Sequence, residues 1–237
     1  NLAALSDRHQ PGAALFATLT ERYDCQFFRD LRAGSLAIEG VDISAGGENE
    51  AVTVSGGDTA LTLVAGRQVV SRERVEILAL CVDAQFDDDE PAVDTIRRIQ
   101  DAGGAPVLSW APGKWMFKRE GVIRELFSSH EPGALLAGDT SLRPTCWMEP
   151  GLMSSARARG MGVIAGSDPL PFGGDEVYAG TYASASDDAI DADAPVASLR
   201  ASLLRSASCR SIGKRCGIVP WIRRLRANAN VRSPSGS

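Results

Sequence analysis

Seven segments between residues 75 and 165 alternate between two kinds of pattern, and this alternation restricts the fold more than any other feature of the sequence. Continuous apolar runs at 75–82, 106–110, 134–137 and 162–165 read as strands buried on both faces. Between them, 91–102, 121–129 and 150–159 read as helices; the first carries Val93, Ile96 and Ile99 between Pro91 and Gly103-Gly104. Repeated strand–helix units predict four adjacent parallel strands, in a sheet that is open or closed into a barrel. Upstream, Pro11 opens a four-residue spacing of Leu15, Leu19, Tyr23 and Phe27 that predicts a helix ending at Gly34. An apolar run follows at 36–43. The runs 51–54 and 60–65 flank Gly56-Gly57-Asp58, which reads as a hairpin turn. A chain of 237 residues, 44% of them hydrophobic, is long enough for one large domain or two small ones.

Charge is distributed unevenly. Nine of the 25 basic residues and none of the 30 acidic ones lie beyond Asp193, so the first 193 residues carry a net −14. The segment 185–195 is an acidic connector, and 196–237 is a basic C-terminal helical segment expected to fold back on the acidic body. Its single aromatic residue, Trp221, gives little support for nucleic-acid stacking. No run approaches the ~18 apolar residues of a membrane span. Five scattered cysteines without a C-x-x-C fit a reducing, cytoplasmic compartment, with Cys81 as a core thiol.

Several catalytic motifs are excluded. Gly160-Met161-Gly162-Val163-Ile164-Ala165 matches a dinucleotide-binding string but leads from helix to strand, the reverse of the required order. Gly113-Lys114 and Gly213-Lys214 lack the rest of a phosphate loop, and no G-x-S-x-G or H-E-x-x-H is present. In strand–helix folds the chemistry gathers at the C-terminal strand ends. Those ends carry Asp42 and Ser44, Trp110 to Lys114, Asp139 to Arg143, and Ser167-Asp168, while Asp7, Arg8 and His9 follow Leu5. An Asp or Ser after a strand also caps the next helix, so each has a structural reading beside the functional one.

In order along the chain, these segments resemble the polymerase-and-histidinol-phosphatase (PHP) superfamily of metal-dependent phosphoesterases. Gly40-Val41-Asp42-Ile43-Ser44 is similar to its Gly-Val-Glu-Ile-Ser. The stretch from Ala102-Gly103-Gly104 to Leu108-Ser109-Trp110 is similar to its run ending in Ala-His-Pro. Gly166-Ser167-Asp168-Pro169-Leu170-Pro171 looks like its Gly-Ser-Asp-Ala-His-Pro, and Asp7-Arg8-His9 like its Thr-Asp-His. The resemblance implies a distorted TIM-type α/β barrel of parallel strands over residues 1–184, its first strand and a His-x-His pair lying upstream of Asn1. It also implies a metal cluster that activates water and clamps phosphoryl oxygens.

The departures fall on the ligands. Trp110 and Leu170 stand where imidazoles are expected, Asp42 replaces a Glu, and Glu76 stands where a His often precedes the strand. The only other histidine besides His9 is His130. The resemblance then leaves Asp7, His9, Asp42, Asp139 and Asp168 as metal ligands, a set suited to a hard ion such as Mg²⁺ or Mn²⁺. Asp42 and Asp168 are its catalytic candidates, and Arg8, Trp110, Lys114 and Arg143 its substrate-binding ones. The expected function is a divergent phosphoesterase-like protein with weak or absent metal-dependent hydrolysis of a phosphorylated substrate. The alternative is a non-catalytic ligand-binding or regulatory PHP-like protein that takes a small phosphorylated or sugar-like ligand, its carboxylates neutralised by Arg8, Lys114 and Arg143.

Overall fold

The computed structural model describes residues 1–205 and 209–232. Its strands are β1 (Phe16–Glu21), β2 (Asp42–Ala45), β3 (Ala51–Gly56), β4 (Thr59–Val70), β5 (Glu76–Leu80), β6 (Ala105–Ser109), β7 (Leu136–Thr140), β8 (Val163–Gly166), β9 (Tyr182–Ala185) and β10 (Arg210–Gly213). Its helices are α1 (Leu2–His9), α2 (Phe27–Arg32), α3 (Ala92–Asp101), α4 (Lys118–Ser129), α5 (Gly151–Ala158), α6 (Pro195–Arg205) and α7 (Ile218–Arg232).

The expected parallel barrel does not form. Eight strands make one open, mixed sheet in the order β2-β3-β4-β5-β6-β7-β8, with β1 parallel to β4. β6, β7 and β8 are parallel, as the strand–helix repeat predicts, but β5 is antiparallel to β6, with Ile77 opposite Leu108 and Leu80 opposite Ala105. The reason lies in the connection between them. After β5 the chain runs back along the sheet as an extended segment, and Asp88 and Asp89 hydrogen-bond the amide and carbonyl of Val70, beside the start of β5. Helix α3 then makes a second traverse, so β6 starts where β5 ended. A helix alone would have returned the chain for a parallel strand.

The N-terminal expectation also changes. Residues 16–21 form β1 rather than a helix. A spacing of four is two strand periods as well as about one helical turn, and here Phe16 to Glu21 pair along β4 from Thr62 to Arg67. Arg67, 2% exposed, fixes that pairing by donating to Glu21 (3.1 Å), Asp83 (2.8 Å) and the Cys25 carbonyl (3.0 Å). The 56–58 turn joins β3 to β4 as a hairpin.

Alternation along the strands divides the core. Ile77, Ala79, Leu108, Ala137 and Val163 face Ile96 and Ile99 of α3, Ile123 and Leu126 of α4 and Met153 of α5. Leu80, Val107 and Leu136 face the other way, against Val196 and Leu203 of α6. Cys81 lies in that second layer, and burial pushes its thiol up to about 12, which keeps it protonated and inert.

The basic segment beyond Asp193 meets acidic partners: Arg205 pairs with Asp188, Arg210 with Asp187 and Arg224 with Asp175. Residues 206–208 and 233–237 of that segment lie outside the described residues.

Candidate functional site

Because β5 is reversed, its first residue shares a rim of the sheet with the last residues of β6, β7 and β8. Glu76 at the start of β5 accepts from Gln68 Nε2 (2.9 Å) and pairs with the Lys114 ammonium from the β6–α4 loop. Beyond β8, Asp168 lies open to solvent at the mouth, and its Oδ2 accepts from the Thr140 hydroxyl (3.3 Å) at the end of β7. Asp168 adopts a left-handed φ of +46°, uncommon for a residue other than glycine.

Exposed as Asp168 is, crowding by neighbouring protein desolvates its carboxyl in part and pushes the pKa up. The Glu76 charge adds to the rise, while Lys114, the Thr140 hydroxyl and Arg224 oppose it. The folded state therefore holds the proton more tightly than the unfolded chain. Its contribution to stability is present below the ordinary aspartate value, about 3.9, and is lost as pH rises through the folded value. Asp168→Asn, which keeps the shape and can accept from Thr140, is expected to melt higher than the parent at pH 7. That gap should close as the pH falls below the ordinary aspartate range. Melting curves across this span test it, and a gap independent of pH would refute it.

Asp139, at the same rim, is already fully engaged. Its two oxygens accept from Arg143 Nε (2.8 Å) and Nη2 (2.5 Å), and Oδ2 also accepts from the Tyr182 hydroxyl (2.9 Å). Burial pushes the Tyr182 phenol up, helped by the Asp139 charge, so it stays a donor. Burial works against the Arg143 charge, but the Asp139 bonds outweigh it and hold its pKa above the ordinary value.

The other residues expected from sequence divide into two groups. Asp139, Arg143, Lys114 and Asp168 are brought to one rim, where Trp110 also lies. Trp110 is only 4% exposed, and its ring packs edge-on against Trp147 at 5.7 Å, which leaves no face for a ligand. Arg143 spends its remaining Nη1 on the Trp147 carbonyl (2.9 Å). Asp42 is exposed on β2, the opposite edge of the sheet, paired with Ser55. Asp7, Arg8 and His9 are exposed at the end of α1, which runs along β9 and β10 away from Tyr182; the His9 carbonyl accepts from Arg210. The carboxylate–histidine set is therefore not assembled, and among the described residues no group of three or more His, Cys, Asp or Glu side chains stands ready to hold a metal ion.

Sequence reasoning missed four contributors. Glu76 stood out only as the replacement of a histidine. Asp175 and Tyr182 follow the 166–172 segment as part of the PHP-like pattern but with no role attached, and Arg224 counts only as a basic residue of the tail; each reaches the rim through tertiary structure. Asp175 is 1% exposed and takes both Nε and Nη2 of Arg224 (2.8 Å each).

No protein-family model and no curated protein matches the chain in sequence. In fold the chain is similar to PsfC from Pseudomonas syringae PB-5123. The TM-score with that crystal structure is 0.56, at 10% identity, over 98% of this chain and 87% of the other. At that identity the likeness concerns the fold alone. No helix among the described residues is long and apolar enough to cross a membrane.

Proposed function

We propose that the chain binds a small phosphorylated or sugar-like ligand at the rim formed by Glu76, Lys114, Thr140 and Asp168, with metal-dependent hydrolysis weak or absent. The reading draws on the order of the PHP-like segments, of which 102–110 and 166–171 end at this rim and 40–44 does not. The observation that carries it is the state of the carboxylates. Asp139 is spent on Arg143 and Tyr182 and Asp175 on Arg224, so neither is left to share a cation with Asp168. The residues present do not fit a resident metal cluster. What remains at the mouth is the partly exposed Lys114 ammonium beside Glu76 and one carboxylate of raised pKa, held by the buried Thr140 hydroxyl; the ammonium can meet a phosphoryl oxygen and the carboxylate a sugar hydroxyl. A cytoplasmic location belongs to the same proposal and is supported by the scattered cysteines.

Calorimetric titration with inorganic phosphate and a panel of sugar monophosphates, alongside the parent sugars, tests the binding. At least one sugar monophosphate is expected to bind, with affinity falling about tenfold or more in Lys114→Ala, the scale of a charge-assisted hydrogen bond. Phosphomonoester turnover in added Mg²⁺, Mn²⁺ or Zn²⁺ is expected to stay at background. Two or more tightly bound ions per chain with turnover lost in Asp168→Ala would overturn the reading, as would the absence of any binding.

A further inference from the structure

The loop from Asp168 to Tyr178 carries the open carboxylate of the rim, and one residue of α7 grips it from outside. Arg224 gives Nε and Nη2 to the two oxygens of Asp175, Nη2 to the Asp168 carbonyl (3.1 Å) and Nη1 to Ser141 Oγ (3.0 Å). Its guanidinium lies 4.2 Å from the centre of the Tyr178 ring. Asp175 passes the grip inward, because its Oδ2 accepts the amide of Leu170 (2.5 Å). One planar group thus touches the loop near its start, middle and end.

The loop needs such a hold. Left-handed backbone at Asp168 persists only where the surroundings impose it. Arg224 is also the main polar anchor of α7 on this side. Trp221 packs edge-on against Trp147 at 6.1 Å, but Trp221 Nε1 and Asn228 Oδ1 are buried without a hydrogen-bond partner. The segment entering α7 begins at Gly213, in left-handed backbone, and is tied down where the amide of Cys216 donates to the Ser141 carbonyl (3.0 Å).

We propose that Arg224 is a positioning residue for Asp168, so that docking of α7 and the readiness of the rim are one equilibrium. The inference rests on Asp168 being the working carboxylate of the rim. Its test uses no ligand, so this inference and the ligand-binding reading can fail separately. By linkage, a ligand that favours the poised Asp168 tightens α7, and anything that lifts α7 weakens that ligand.

The full chain with Arg224→Lys keeps the charge but loses the planar fork that bridges Asp175, Ser141 and the Asp168 carbonyl. The measurements are the carboxyl titration of Asp168 by carbon NMR and amide hydrogen exchange. The ionisable groups that bear on Asp168 are Glu76 from β5, Lys114 from the β6–α4 loop and Arg224 from α7. Release of the loop is expected to move the titration down toward the ordinary aspartate range as the carboxyl leaves the crowding of the rim and the Glu76 charge. Loss of the Arg224 charge alone would move it up. The Leu170 amide and the α7 amides should lose protection by the same factor. In Arg224→Ala, low concentrations of guanidinium ion should restore both in part.

An unchanged Asp168 titration in Arg224→Lys would overturn the proposal, as would Leu170 keeping its protection while α7 loses it. Should Arg224→Ala fail to fold, exchange in the unmodified protein decides: one shared opening for Leu170 and α7 is expected, and separate openings refute it.

Discussion

Gly213→Ala is expected to lower the melting temperature by roughly 5–15 °C, at about 2–4 °C per kcal/mol for a chain of this size. Two costs combine. Gly213 ends β10 at φ +86°, where a side chain adds about 1–2 kcal/mol. A Cβ there would also overlap the Thr181 carbonyl oxygen and come within 3.0 Å of Leu5 Cδ2. Thr181 O cannot retreat cheaply, because it accepts the Lys214 amide (3.0 Å) just before β9. Overpacking of this kind costs about 1–3 kcal/mol. Gly12→Ala separates the two terms: Gly12 has φ +75° and nothing within 4 Å of a Cβ, so it reports the conformational cost alone. Equal effects at the two glycines would show that the close approach of β10 to Thr181 is not real.

Arg143→Ala is expected to cost about 3–5 kcal/mol in urea unfolding, the scale for stranding one member of a buried ion pair. Asp139 and Arg143 are each 6% exposed, and truncation would leave Asp139 with the Tyr182 hydroxyl and the Thr140 amide (2.9 Å). Asp139→Asn with Arg143→Met, which removes both charges and keeps much of the volume, should recover most of the loss. The cycle completed by Asp139→Asn and Arg143→Met as single variants is expected to give a coupling of about 0.5–3 kcal/mol. Added Mg²⁺ or Mn²⁺ is expected not to rescue Arg143→Ala, since among the described residues no set of three ligands surrounds Asp139. Rescue by either ion would bring the metal-site reading back. So would a single-variant cost near zero.

The parts of the fold legible in the sequence are those in which one element sets its own pattern. The buried strands β5 to β8 and the helices between them announce themselves through continuous apolar runs and helical spacing, within a few residues of their observed bounds. Strand direction was not legible, because it depends on the path of residues 83–90. That path is set by Val70 hydrogen-bonding to Asp88 and Asp89, contacts with no periodic signature. The helix expected from Pro11 to Gly34 forms only over α2 and fails over 16–21 for a related reason. Leu15, Leu19, Tyr23 and Phe27 satisfy two periods at once, and only pairing with β4 chooses between them.

The candidate site follows the same division. Lys114, Asp139, Arg143 and Asp168 follow or end strands and were found from that position alone. Asp42 follows the same rule in sequence but ends up on β2, an exposed edge strand three places from β5. Arg224 and Asp175 are separated by 49 positions, and neither lies at the end of a main-sheet strand.

That separation matters while the protein is being made. Chains emerge from the N-terminus and domains begin to fold during synthesis. The strands β1 to β8 precede Asp175, so the main sheet can pair while the carboxylate that will be almost fully enclosed still waits for its counter-charge. Until α7 emerges, Asp175 must stay in water or take up a proton. The loop bearing Asp168 is therefore among the last parts of the molecule to settle. A message truncated before the codon for Arg224 would yield a protein with its main sheet complete and an anion stranded at the rim, an error of electrostatics more than of missing core.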